Sequence, residues 1–199
     1  MYNLSKLALL RPSLNLCSTE LSIIDSVKKF CNNYLQDIAN RTGSVEQTRT
    51  IYKQFGEMGL LGPTIPDYGL GTSYKMYGLM AKEIEAVDSG FRSMFSVQSS
   101  LVANPIHQYG TDTIKDSYLE GLLSGELIGS FGLTEPNAGS DASTMKTTYR
   151  YKDGNYILNG SKTWITNSPV ADVFVIWAKN EDGVSGFVLD RSMKGIDTP

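Results

Sequence analysis

From Leu21 the apolar residues recur at Leu21, Ile24, Val27, Cys31, Tyr34, Leu35 and Ile38. Steps of three and four place them on one stripe of a helix. Ser18 or Thr19 is positioned to cap its start, and Glu20 falls in the first turn, where the helix dipole favours an acid. Thr42-Gly43 breaks the pattern. A second helix is predicted over Val45–Met58, with Ile51, Phe55 and Met58 inward and Gly59 as its C-cap. Gly62-Pro63-Thr64-Ile65-Pro66-Asp67-Tyr68-Gly69 reads as a loop, because its prolines and glycines leave no room for regular structure. Helical spacing returns over 72–87 and 91–102, and briefly over 113–123. After Gly125 the texture changes. Tyr156-Ile157-Leu158, then Asn159-Gly160, then Lys162-Thr163-Trp164-Ile165-Thr166 reads as two strands across a tight turn. Val173–Ala178 and Gly186–Leu189 are short runs rich in β-formers. Helices first and strands second is an α+β order, not the alternation of a doubly wound fold. The expected architecture is an all-α bundle over 1–124 followed by an antiparallel β domain over 125–199. Two or three strands would leave an open edge, so the β domain reads as incomplete.

Composition narrows the classes. The chain has 199 residues, 41% hydrophobic and 20% charged, within the ordinary range for a soluble globular protein. A core of useful size requires both halves to pack together. The net charge is −3, with lysines and arginines scattered, which argues against a nucleic-acid stripe or a polybasic membrane anchor. No apolar run approaches the roughly 20 residues of a membrane span. Cys17 and Cys31 show no metal or redox spacing and read as reduced thiols. His107 is the sole histidine, so a His-based metal site is not expected, and no nucleophile-elbow motif accompanies it. Met1–Thr19 carries Lys6 and Arg11 but no acid, and reads either as an acid-poor leader or as a plain N-terminal arm.

Two stretches carry candidate chemistry. Phe131-Gly132-Leu133-Thr134-Glu135-Pro136-Asn137-Ala138-Gly139-Ser140-Asp141 is a strand end running into a turn. It is either purely structural or a loop whose free N–H groups and hydroxyls face a polar ligand, with Thr134 and Ser140 supplying the hydroxyls and Gly139 admitting a close approach. In Thr163-Trp164-Ile165-Thr166-Asn167 the indole is either a core side chain or a flat platform for a planar ring, flanked by threonine hydroxyls. Arg92 has two readings as well. It forms an ion pair with Glu85 or Asp88, or it grips a carboxylate through parallel hydrogen bonds.

These two motifs together resemble the acyl-CoA dehydrogenase family. The upstream run Val87-Asp88-Ser89-Gly90-Phe91-Arg92-Ser93-Met94-Phe95-Ser96-Val97-Gln98-Ser99-Ser100-Leu101, with Gly59-Leu60-Leu61-Gly62-Pro63-Thr64-Ile65, resembles its glutaryl-CoA branch. The resemblance extends from about Leu21 to Pro199. It implies an FAD site lined by Phe131, Gly132, Leu133, Thr134, Gly139 and Ser140 on one side and by Trp164, Ile165 and Thr166 on the other. Thr134 would bond the pyrimidine side of the flavin, Trp164 would lie against the ring, and Thr166 would bond near N5. Ser140 would sit where the CoA portion of an acyl-CoA substrate passes. Arg92 and Ser93, with Glu85 beside them, would hold the distal carboxylate of glutaryl-CoA. The implied reaction removes the α-proton of the thioester to a carboxylate base while the β-hydrogen leaves as hydride to the flavin; decarboxylation to crotonyl-CoA follows in this branch. The family's base is a glutamate in a C-terminal helical domain, expected beyond the end of this chain, and Glu135 is expected to order its own loop instead. The resemblance also implies a homotetramer, an electron-transfer flavoprotein as acceptor, and a place in the mitochondrial matrix or bacterial cytoplasm. Two alternatives stand beside it: a non-catalytic fragment that binds flavin or acyl-CoA, and a dehydrogenase for another short acyl group.

Overall fold

The computed structural model describes residues 15–39 and 43–198; the leader-or-arm expectation for the N-terminus falls mainly outside them. Helix α1 (Ser18–Phe30) runs on through a π-helical stretch (Cys31–Leu35) into a last turn (Gln36–Ile38). Its N-cap is Cys17, one residue before the expected Ser18. The reason lies at Glu20, whose carboxylate reaches back to accept from the Cys17 amide at 2.9 Å. Helix α2 (Val45–Glu57) is capped by the Ser44 hydroxyl, and Gly59 follows it in the left-handed region. Helix α3 is Tyr74–Glu85.

Helix α4 (Ser89–Ser96) does not stop near Val102 as the pattern suggests. It widens into a π-helical stretch (Val97–Ala103) and continues as α5 (Asn104–Tyr109). Pro105 explains this. It has no N–H to give to residue 101, and its ring crowds that carbonyl, so the turn before it opens instead of breaking. Helix α6 (Asp112–Ser124) ends at Gly125, whose φ is 77°. A Cβ there would stand 2.1 Å from the Tyr52 carbonyl oxygen, so only glycine lets α6 close against α2.

The strands are β1 (Gly129–Gly132), β2 (Thr148–Lys152), β3 (Asn155–Asn159), β4 (Val173–Asn180) and β5 (Gly183–Asp190). β4 is central. β5 pairs antiparallel along its whole length. β1 runs parallel to its first half, and β2 meets its end where Thr148 pairs with Lys179. The sheet is therefore mixed, not purely antiparallel. The expected hairpin across Asn159-Gly160 does not form. β3 turns back onto β2 through Asp153-Gly154, both at positive φ (52° and 79°), the geometry of a two-residue hairpin turn. Gly160 has a different task. A Cβ there would meet Thr147 Oγ1 at 2.3 Å, so glycine lets the chain pass over Thr147.

Both hydrophobic clusters mix helix and sheet. Leu35, Tyr52, Phe55, Met80 and Phe95 pack with Ile128, Ala171 and Phe174. Val102, Ile106 and Leu119 pack with Val173 and Val175. Alternation along β4 thus sends Val173 and Val175 to one face and Phe174 and Ile176 to the other. Two polar bridges reinforce the joint. Arg49 grips Asp172 with both terminal nitrogens (2.8 and 3.0 Å). Buried Gln98 donates to the Leu122 and Leu127 carbonyls and accepts from the Gly129 amide. Among the described residues no helix is long and apolar enough to cross a membrane, and no cluster of acids, cysteines and histidine suits a metal ion. Cys17 and Cys31 are unpaired thiols. His107 packs edge-on against Tyr68.

Candidate active site

β1 delivers Phe131 and Gly132 at its C-terminal end, and the chain then turns. Glu135 and Ala138 exchange two backbone bonds of 3.1 Å across Pro136-Asn137, which makes a tight turn after Thr134. The Glu135 carboxylate is buried inside this turn. It accepts from the Lys146 amide (2.5 Å), the Thr147 amide (3.0 Å), the Thr147 hydroxyl (2.5 Å) and the Lys162 ammonium (2.8 Å). Burial alone would raise its pKa; the bonds from Lys162, Thr147 and the two amides outweigh burial and hold it at about 2. A carboxylate so fully engaged orders its loop and is not poised to take a proton from a substrate.

The second segment lies beside the first. Thr163 N–H donates to the Thr134 carbonyl at 2.9 Å, and the Ser130 hydroxyl donates to the Thr166 carbonyl at 2.9 Å. Asn167 donates from its side chain to the Gly129 carbonyl at 2.8 Å. Residues 129–134 and 163–167 therefore form one structural unit, although Trp164 is not on a strand as its β-rich neighbours suggest. It stands in a loop with φ at 58°, a left-handed conformation that bulky side chains avoid. Its indole is 91% exposed. Below it, Arg191 fixes the loop by donating to the Ala171 and Ser168 carbonyls.

The polar groups singled out from the sequence are unspent. Among the described residues, the hydroxyls of Thr134, Ser140 and Thr166 make no hydrogen bond, whereas neighbouring Ser130, Ser143, Thr144 and Thr147 all donate from theirs. Nothing lies within 4 Å of where a Cβ would stand on Gly139. Trp164 and Ile165 line a groove of about 940 Å³ that also meets Leu158, Ile176 and Ile196. Thr134 is tied to this groove's wall but does not line it. The groove, and the Met145–Thr147 segment beneath Glu135, carried no recognisable signal. Asn167 did carry one: its φ of 69° suits asparagine better than most residues.

Arg92 and Glu85 sit apart from this unit, on α4 and α3. Arg92 Nε donates to Glu85 at 2.7 Å and Nη1 to the Ser96 hydroxyl at 3.0 Å. Nη2 has no partner among the described residues. Ser93 is half-buried and uses its carbonyl to accept from Ser96.

Two family models span this architecture, the N-terminal domain of acyl-CoA dehydrogenases over residues 18–126 and the middle domain over 130–199. The chain belongs to the acyl-CoA dehydrogenase family. Mitochondrial isovaleryl-CoA dehydrogenase of Pongo abelii is 36% identical over 87% of this chain and 44% of its own length. Glutaryl-CoA dehydrogenase of Mycobacterium smegmatis superposes with a TM-score of 0.85 at 40% identity, over 91% of this chain and 48% of that one. An acyl-CoA dehydrogenase of Bacillus anthracis, solved in complex with FAD, gives a TM-score of 0.87 at 30% identity, over 95% of this chain and 33% of that one. The chain thus spans about half the length, or less, of these members of its family.

Proposed function

We propose that this chain carries the flavin-facing and acyl-facing surfaces of an FAD-dependent acyl-CoA dehydrogenase of the glutaryl-CoA type. The observation that carries the reading is Trp164. Its backbone is strained, its indole stands almost wholly in solvent, and its neighbour Thr163 is bonded to the segment that presents the unused Thr134 hydroxyl. Strain combined with apolar exposure is costly, and a ligand contact accounts for it. In this reading Phe131, Gly132, Leu133, Thr134, Gly139, Ser140, Trp164, Ile165 and Thr166 meet the cofactor, and Ser140 also meets the CoA ester. FAD would supply the two-electron acceptor. The helical part, 1–124, would present the acyl end, and 125–199 the flavin. A homotetramer, an electron-transfer flavoprotein as acceptor, and a mitochondrial-matrix or bacterial-cytoplasmic setting belong to the same reading.

The free Nη2 of Arg92 supports a carboxylate at the acyl end, because Arg92 can add an acceptor without surrendering Glu85 or Ser96. The Glu85 pair equally favours a second reading, in which Arg92 is an interhelical tie and the acyl group is a different short one.

Adding FAD to the 199-residue protein is expected to quench flavin fluorescence saturably, and Trp164→Ala to abolish the effect; a parent protein that leaves the flavin unquenched sinks the flavin reading. If binding holds, the FAD-loaded parent should bind glutaryl-CoA more tightly than butyryl-CoA, and FAD-loaded Arg92→Ala should bind the two equally. Equal affinity of the FAD-loaded parent for both thioesters assigns Arg92 to the interhelical tie. No turnover of glutaryl-CoA with an artificial electron acceptor is expected from these residues alone, since Glu135 is fully bonded and Glu85 is paired.

A further inference from the structure

Lys162, like Ser130 and Asn167, is a side chain that ties the two segments of the site together, and it alone of the three reaches the turn around Glu135. Its stem crosses β1 at Gly132, where a Cβ would stand 3.3 Å from Lys162 Cγ. Its ammonium then enters the Glu135 turn. There it donates to Glu135 Oε1 at 2.8 Å and to the Leu133 carbonyl at 3.0 Å, with Met145 Sδ at 3.8 Å. The side chains of Lys162 and Glu135 are only 8% and 5% exposed. The next residue, Thr163, bonds the Thr134 carbonyl, and the residue after that is Trp164.

Stability alone does not call for such a pair. Two buried charges lose much of their hydration, and neutral side chains of similar volume often fold as well. What an ammonium adds is direction. It is a compact charge with several donors, and here its acceptors converge on one point.

We propose that Lys162 is a positioning residue: by latching Leu133 and Glu135 it fixes the offset between the Thr134 hydroxyl and the Trp164 indole, and so sets the geometry a planar ligand meets. The latch rests on the geometry above. Its consequence for binding rests on the flavin reading.

The test compares the parent protein, Lys162→Met, and the double variant Glu135→Gln/Lys162→Met, which leaves no lone buried charge. Amide hydrogen exchange at Thr163 reads the latch, with Val175 in β4 as internal control. FAD titration reads the consequence. Loss of the latch is expected to speed Thr163 exchange about ten-fold while Val175 stays unchanged, and to weaken FAD about ten-fold. Thr163 exchange unchanged in either folded variant overturns the proposal. So does failure of both variants to fold, because the pair would then be part of the fold itself. If the parent binds no FAD, the flavin reading fails and Thr163 exchange still decides the latch. If exchange quickens and FAD binds as tightly as before, Lys162 is not a positioning residue for the ligand.

Discussion

Trp164 occupies a conformation that glycine would occupy without strain. In the flavin reading proposed above, a functional demand and a folding demand oppose each other at this residue. Trp164→Gly is expected to leave the fold intact and to stabilise it by up to about 1 kcal/mol, while FAD affinity is lost. Urea melts beside flavin titrations check both halves; a variant less stable by more than about 1 kcal/mol would show that the indole serves the fold. Glu135 makes a pH statement. Its pKa is depressed from 4.5 to about 2 in the folded protein. The folded state thus prefers the ionised form, and the stability this confers is complete above pH 4.5 and lost as pH falls towards 2. Glu135→Gln should flatten that acid limb. Parallel acid limbs for parent and variant would mean the carboxylate is already relaxed in the native state.

The long helices were readable because their apolar residues repeat at helical spacing and end at interpretable signals, such as the cap at Gly59 and the change of texture after Gly125. Pro105 was a weaker guide, since a widened turn absorbs it and lets the helix continue. The β2–β3 hairpin was written plainly as Asp153-Gly154 but obscured by Asn159-Gly160, an equally good turn pair whose glycine serves the crossing over Thr147. The site segments were legible as motifs; their union was not, because the bonds that join them run through backbone groups and through the side chains of Ser130, Lys162 and Asn167. Gln98 was equally silent in sequence. A glutamine amid apolar residues in a helix reads as surface, yet it is fully buried and serves three backbone groups. Gln98→Leu keeps the volume and strands those groups, at a cost of about 3 kcal/mol. Equilibrium unfolding measures it, and a loss under about 1 kcal/mol would mean water replaces the amide.

At the scale of the whole molecule the question is whether helices and sheet are one cooperative unit. Both apolar clusters draw from each half, and Asp172 ties them at the surface by accepting from Arg49 and from the Ile128 amide. The two bonds differ in worth. Arg49 and Asp172 are 39% and 26% exposed, so their coupling in a double-mutant cycle should be only about 1 kcal/mol and should shrink with salt. The Ile128 amide belongs to a fully buried residue. Asp172→Ala should therefore cost more than Arg49→Met, by about 1–2 kcal/mol, because it leaves that amide unpaired. Trp177 packs against Phe131 across β1 and β4 and reports the sheet by fluorescence in a Trp164→Phe background; far-UV circular dichroism reports mainly the helices. If the shared clusters govern folding, both signals melt together in the parent and shift together in Asp172→Ala. Separated midpoints in Asp172→Ala would place the cooperativity in the surface tie and not in the apolar joint.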